Sequence, residues 1–390
     1  METCDPRTIE NHPPSLGPEE LELVQSVLTT GWVSYGGRFV SELEAALGSA
    51  TGFQHAVSLA SGTCALQLAL ELLGQPGCEV FVPALTFVAP ASTIVRAGMV
   101  PVFVDVDPSS WQLDLEQLER FIAEHCRREA GSLINRRSGR RIAGLCLVHL
   151  WGDLADLERA SALALEHGLF LLHDAAQAVG ARFDGQPFGH AVGGAKGKTL
   201  AATSFNANKI ITTGAGGALL ANAPALAAEA RHLASTAKAT ASQFIHDRYG
   251  VNYRMSNLNA AVGLAQIRKL PAFIARKRQI RELYRARFAE EGLAAEWARP
   301  LPRVESNCWS ACVVLDRPAA PIIQELNERG IQARPVWVPL PRLEIYRGYE
   351  TTRHEVADRI HARGVMLPSG PDLAADDIRR VTAELRGLLP

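Results

Sequence analysis

Apolar residues fall along the first two-thirds of this chain in two alternating rhythms. Short apolar runs at His55–Ala60, Glu79–Val82, Val100–Val104, Ile142–Leu150 and Leu169–His173 have the character of buried strands. Between them lie segments whose apolar positions recur every three or four residues. Thr63–Leu73, with Leu66, Leu70 and Leu73, is one; Thr86–Ala97, Leu115–His125 and Leu154–His167 are others, and all predict helices. Alternation of this kind predicts an α/β fold with a mainly parallel sheet covered by helices on both faces. Ligands of such sheets sit beyond the carboxyl ends of the strands. Ala60-Ser61, Asp105 and His173-Asp174 fall at such ends.

The character changes near Pro271. Ala272–Glu291 predicts a long helix rich in Arg, Lys and Glu on one side. Strands are expected at Cys308–Leu315 and Gly364–Leu367, and helices at Pro321–Glu328 and Asp376–Leu388. The expected organisation is an N-terminal arm (residues 1–15), a large domain (16–270) and a smaller α+β C-terminal domain (271–390). The basic stretch Arg127–Arg141 is expected to form a solvated hairpin or loop rather than a specific anion site.

Composition narrows the function classes. Hydrophobic residues make up 47% of the 390, charged residues 21%, and the net charge is −1. No electrostatic argument therefore favours nucleic acid or an anionic membrane. No uninterrupted apolar run is long enough to predict a membrane span, and the polar, proline-containing Met1–Leu16 does not read as a signal peptide. The seven cysteines include no C-x-x-C pair and read as free thiols of a cytoplasmic protein. Neither a disulfide framework nor a metal site is expected.

The candidate chemistry lies at strand ends. Asp174 closes the apolar run Leu169–His173, and Lys209 follows Thr203-Ser204-Phe205-Asn206-Ala207-Asn208. A buried lysine near other charges is close to neutral and becomes a nucleophile for carbonyls. A carboxylate at the end of a strand can keep a pyridine nitrogen protonated, or it can cap a helix. Gln177 can hydrogen-bond a ring hydroxyl or complete a capping box. Ser61-Gly62-Thr63 opens a helical pattern whose free N–H groups suit a phosphate, or Ser61 simply caps it. Ser204 can add a hydroxyl to the phosphate or be an ordinary strand serine. Phe87 can stack on a ring or pack in the core. Lys196 and Lys198 compete with Lys209, but from a glycine-rich loop, whereas a catalytic lysine needs a rigid mount. Together these pieces match what pyridoxal 5'-phosphate (PLP) chemistry requires.

In order along the chain, Ser61–Leu66, Val82–Phe87, Pro101–Val106, Asp174–Gln177, Ser204–Gly217 and Gly250–Ser256 resemble the sugar aminotransferases of the DegT/DnrJ/EryC1/StrS family. The resemblance implies the PLP fold-type I architecture of aspartate aminotransferase. It implies that Lys209 is the Schiff-base lysine, Asp174 the pyridinium partner and Phe87 the stacking ring. Ser61, Gly62, Thr63 and Ser204 become phosphate contacts. Asn252 becomes the residue that reaches the phosphate of the neighbouring subunit, in a homodimer with shared active sites. Trp32, Tyr35, Tyr253 and Arg254 become candidate substrate contacts; His149, Trp151 and Arg334 are further pocket candidates.

Gly31–Gly36, Arg136–Arg141 and Asn206–Thr213 are similar to the branch acting in legionaminic acid and bacillosamine-type pathways. That branch implies amino transfer from L-glutamate to the C4 ketone of a UDP-linked 4-keto-6-deoxy N-acetylhexosamine. The segment Val192–Thr199 departs from the family as an insertion carrying two positive charges. Alternatives are a 3-keto sugar aminotransferase, a PLP-dependent sugar dehydratase, whose relatives have histidine where Lys209 stands, and a non-catalytic regulatory or sugar-binding protein of the same fold. A nucleotide-binding dehydrogenase is disfavoured, since no G-x-G-x-x-G follows the first strand.

Overall fold

The structure is a computed structural model that describes residues 8–192, 198–240 and 243–389. Seven strands form the backbone of its large sheet: β1 (His55–Leu59), β2 (Glu79–Pro83), β3 (Val100–Val104), β4 (Arg141–Val148), β5 (Phe170–Asp174), β6 (Thr199–Ser204) and β7 (Gly217–Ala221). Their order across the sheet is β1-β7-β6-β5-β4-β2-β3. β7 pairs antiparallel with both neighbours, and the other pairings on this path are parallel. The strands are apolar on both faces because both faces are covered. Cys146, Val148, Phe170 and Leu172 point into one core, with the helix Gly62–Leu73. Their neighbours Leu145, Leu147 and Leu171 point into the other, with Leu118, Phe121 and Leu163 of the helices Leu115–His125 and Leu157–His167. This is the period-2 alternation of a doubly covered sheet.

The basic stretch folds as a hairpin, Cys126–Glu129 with Ser132–Asn135, that extends the sheet along β4. The helix expected over Thr86–Ala97 is shorter, Ala89–Arg96, because Pro90 fits a helix only in its first turn. Thr86 and Phe87 are thereby left in the loop beyond β2.

The helix expected from residue 272 starts instead at Asn257 and runs to Glu290, with Pro271 inside it. A proline inside a helix removes one hydrogen bond of the ladder. Tertiary packing outweighs that loss. Ser256 caps the start by accepting a hydrogen bond from the Asn259 N–H at 3.2 Å. Leu264, Ile267 and Leu270 pack on the large-sheet core, while Ile280, Tyr284 and Phe288 pack on a second core. That second core belongs to a four-stranded antiparallel sheet ordered Ala295–Trp297, Ala311–Leu315, Gly364–Leu367, Arg334–Pro335. The N-terminal segment is part of this unit. Ile9 sits in its core and bridges to Ile331, and the Asn11 side-chain amide donates to the carbonyls of Gln332 and Met366.

Candidate active site

The carboxyl ends of β1, β5 and β6 converge on a cavity of about 590 Å³. Ser61, Gly62, Thr63, Phe87, Asp174, Gln177, Ser204 and Lys209 all line it. Ser61 ends the loop after β1 and is the N-cap of the helix Gly62–Leu73, its Oγ accepting from the Cys64 N–H at 3.1 Å. Capping and anion binding are therefore compatible here. Ser61 satisfies the third helical N–H, and those of Gly62 and Thr63 have no intrahelical partner. This helix start lies hard against the sheet. A Cβ on Gly217 would fall 2.4 Å from the Gly62 nitrogen, and one on Gly62 would fall 2.8 Å from Ser204 Cβ. Gly217→Ala is accordingly expected to displace the helix start, destabilising the fold by about 1–3 kcal/mol and weakening cofactor affinity. Thermal unfolding and cofactor titration check both effects.

Asp174 sits at the end of β5, opposite Ala202 of β6, and is buried. Residues 176–180 form turns, so Asp174 is not a helix cap and Gln177 completes no capping box. One carboxylate oxygen, Oδ1, accepts from the Ala176 N–H at 3.0 Å. Oδ2 accepts no hydrogen bond among the described residues. Burial raises the carboxyl above its ordinary pKa, opposed by the Ala176 N–H and by Lys209. Gln177 Oε1 is taken by the Trp151 N–H at 2.7 Å.

Lys209 lies in a turn after β6, its N–H donating to the Asn206 carbonyl at 2.9 Å. Buried Phe205 precedes the turn and buried Ile210 and Ile211 follow it, which gives the lysine a fixed mount. Burial lowers its pKa from 10.5 to about 8, partly offset by Asp174. At pH 8 about half of the amine is then neutral, against about three in a thousand for an unperturbed lysine. The competing Lys196 lies outside the described residues, as does most of the Val192–Thr199 insertion; Lys198 is not on the cavity wall.

The residues present fit the phosphorylated, aromatic cofactor expected from the sequence. Two helical N–H groups without an intrahelical partner, two serine hydroxyls, a carboxylate oxygen and an amine stand together on its wall. The Phe87 ring is 54% exposed, so it faces the cavity rather than the core. Thr86 Oγ1, also on the wall, is buried without a hydrogen-bond partner.

Other candidates lie elsewhere. Trp32, Tyr35, Asn252, Tyr253 and Arg254 do not line this cavity. Arg254 is tied to Glu44 at 3.0 Å, and Trp32, Tyr35 and Asn252 are exposed. His149 is a core residue. Its Nδ1 accepts from the Ala155 N–H at 3.1 Å, so Nε2 donates to His173 Nδ1, also at 3.1 Å. Trp151 is buried and stacks on Trp337, which does reach the cavity. Arg334 lines the cavity too. So do Asn11, His12 and Trp309, which the sequence did not mark. They come from the N-terminal segment and the small unit, and no local pattern announces a residue brought to a site only by tertiary packing.

Comparison with known proteins gives a consistent result. A model described as the DegT/DnrJ/EryC1/StrS aminotransferase family matches residues 14–386. GDP-perosamine synthase of Caulobacter vibrioides is 32% identical over 381 residues, covering 96% of this chain and 97% of that protein. The putative pyridoxal phosphate-dependent aminotransferase EpsN of Bacillus subtilis is 32% identical over 379 residues, covering 95% of this chain and 92% of that one. Among solved structures, the aminotransferase TlmJ from Streptoalloteichus hindustanus superposes with a TM-score of 0.85 at 29% identity, covering 98% of each chain.

Proposed function

This chain belongs to the DegT/DnrJ/EryC1/StrS aminotransferase family, and we propose that Lys209 and Asp174 are its catalytic pair. It is a PLP-dependent sugar aminotransferase of fold-type I. The observation that carries the proposal is an amine with a pKa of about 8 sharing one cavity with a buried carboxylate and a helix start whose first two N–H groups have no intrahelical partner.

In this reading the N–H groups of Gly62 and Thr63, with Ser61 and Ser204, hold the cofactor phosphate. Phe87 and Gln177 would hold its ring, and the Asp174 carboxylate would partner its nitrogen. PLP, when bound, supplies the carbonyl and electron sink through which an amino group passes from donor to acceptor. Asp174 maintains a negative charge that favours a proton on the ring nitrogen. The neutral Lys209 amine would serve as the base that takes a proton from the donor's Cα, and the ammonium so formed as the acid that delivers one to the acceptor carbon.

The acceptor is a nucleotide-linked 4-keto-6-deoxy sugar, aminated at C4, in surface-glycan or nonulosonic acid biosynthesis. A UDP-linked N-acetylhexosamine is the first reading, supported by the likeness of Gly31–Gly36 and Asn206–Thr213 to the legionaminic acid and bacillosamine-type branch. A GDP-linked sugar is the second, favoured by the relatives that are GDP-perosamine synthases. L-Glutamate is the donor. Arg334, on the cavity wall and without an ion pair among the described residues, supports an anionic co-substrate.

Residues 16–270 and 271–390 act as the two domains that enclose the cavity, with 1–15 as an arm. Asn252, Tyr253 and Arg254 serve the site of a second copy in a homodimer. The exposed side chains of Trp32, Tyr35, Phe244 and Tyr249 support such an interface. No described helix is long and apolar enough to cross a membrane. The free thiols of Cys64, Cys78, Cys126, Cys146, Cys308 and Cys312 support a cytoplasmic setting.

The acceptor is tested with a panel of UDP-, GDP- and dTDP-linked 4-keto sugars, with glutamate as donor and the products identified by mass spectrometry and NMR. Amination at C4 is expected, with a UDP sugar preferred. Preference for a 3-keto sugar would overturn the ring position, and a deoxygenated product would overturn amino transfer itself.

A further inference from the structure

Trp309 lies beside Lys209 and is held from every direction the structure offers. Its indole N–H donates to the carbonyl of Asn208, the residue before Lys209, at 2.7 Å. Its backbone N–H donates to Asn307 Oδ1 at 2.8 Å, and its carbonyl accepts from Nζ of the buried Lys277 at 2.9 Å. The His12 ring stacks on it, with centroids 5.2 Å apart and planes 24° from parallel. Lys209 Nζ lies 4.8 Å from its ring centroid, within the range of a cation–π contact.

The stack behind Trp309 is itself fixed. The Asn11 amide must point its NH₂ at the carbonyls of Gln332 and Met366, which leaves its Oδ1 facing His12 Nδ1. An amide oxygen only accepts, so Nδ1 carries the proton. Nε2 is then the acceptor, taking the Ser369 hydroxyl proton at 2.9 Å, while Ser369 Oγ accepts from the Ala311 N–H. Burial, with Lys277 and Arg334 nearby, keeps the imidazole neutral, so it stacks without adding charge beside Lys209.

From this arrangement we propose that Trp309 is a positioning residue for Lys209, with His12 of the N-terminal segment clamping it. It acts in two ways. Its π face holds the lysine amine, and its N–H pins the turn at Asn208 from which the amine is presented. The small unit thereby meets the lysine directly through Trp309, and the N-terminal segment acts on it through His12. The proposal rests on the reading of Lys209 as the residue that bonds the cofactor.

The test uses the full chain, freed of cofactor and then reloaded. Lys209 is labelled competitively with acetic anhydride across neutral and alkaline pH and read by mass spectrometry. Charged and titratable groups around the pair are Asp174, His12, Lys277 and Arg334, and all are retained in each variant. The wild-type labelling midpoint is expected at about pH 8. In Trp309→Leu it is expected to fall by about half a unit to one unit, because apolar burial remains while the attraction of the ring for the ammonium is lost. Trp309→Phe keeps a ring but lacks the N–H. It is expected to hold the midpoint near the wild-type value while amide exchange across residues 206–211 accelerates several-fold.

An unchanged midpoint in a folded Trp309→Leu would overturn the role of the face. Unchanged exchange in Trp309→Phe would overturn the pin, and this arm stands even if the leucine variant does not fold. Bound PLP is expected to protect Lys209 from acetylation in all three proteins. Absence of protection in the wild type would instead sink the cofactor assignment of Lys209, leaving the cofactor-free comparison to judge Trp309 by itself.

Discussion

Replacing Lys209 by alanine is expected to abolish amino transfer, lowering turnover by at least about 10⁴-fold, because one side chain is assigned both the covalent and the proton-transfer roles. The wild-type protein loaded with PLP is expected to show a visible band that bleaches on addition of L-glutamate; Lys209→Ala is expected to show neither that band nor the bleaching. Its fold should survive. The side chain lies at a turn anchored by Phe205, Ile210 and Ile211, and these are untouched. Loss of the ammonium also removes a group that lowers the Asp174 pKa, so the carboxyl should titrate at higher pH in the variant. Substantial residual transamination in a folded Lys209→Ala protein would sink the assignment. The visible band alone is also informative: if it forms in the wild type but is indifferent to glutamate, the donor is wrong while the lysine stands.

Much of this arrangement was legible in the sequence, for identifiable reasons. Strands buried on both faces read as unbroken apolar runs, so β1, β2, β3 and β5 could be placed to within a residue or two. Ser61 and Asp174 stood out because polar residues ended such runs, where a parallel sheet puts its ligands. Two helix bounds differ from the pattern at prolines. Pro90 shortened one helix from its start, while Pro271 was absorbed inside another whose two halves are each paid for by a separate core. The ion pair of Arg254 with Glu44, more than two hundred residues away, had no local sign in the sequence. Trp309 and His12 were invisible for the same reason. Their significance lies in a stack assembled from three distant segments, and no spacing rule encodes it.

Asp174→Asn separates chemistry from architecture most cleanly. Asparagine keeps an oxygen for the Ala176 N–H and nearly the same volume, so the local fold is retained. What disappears is the charge. Turnover is expected to fall about 10²–10³-fold, the scale on which removing one preorganised electrostatic partner acts. Cofactor binding through the helix N-terminus persists. A second effect has a definite sign. Asp174 is the charge that raises the Lys209 pKa against burial, so without it the lysine should titrate below its wild-type value of about 8. The third concerns stability. Burial raises the Asp174 pKa in the folded state, so between its unfolded and folded values the folded chain binds the extra proton. Stability contributed by this group therefore declines as pH rises through that window and stays lower above it. The neutral amide carries no such cost, and the melting temperature of Asp174→Asn at neutral pH is expected to equal or exceed that of the wild type. A variant that is more stable and far slower would mark Asp174 as a group held at a cost to the fold for the sake of the reaction. A variant that melts early and turns over normally would assign the carboxylate to the architecture of the strand end and remove it from the catalytic pair.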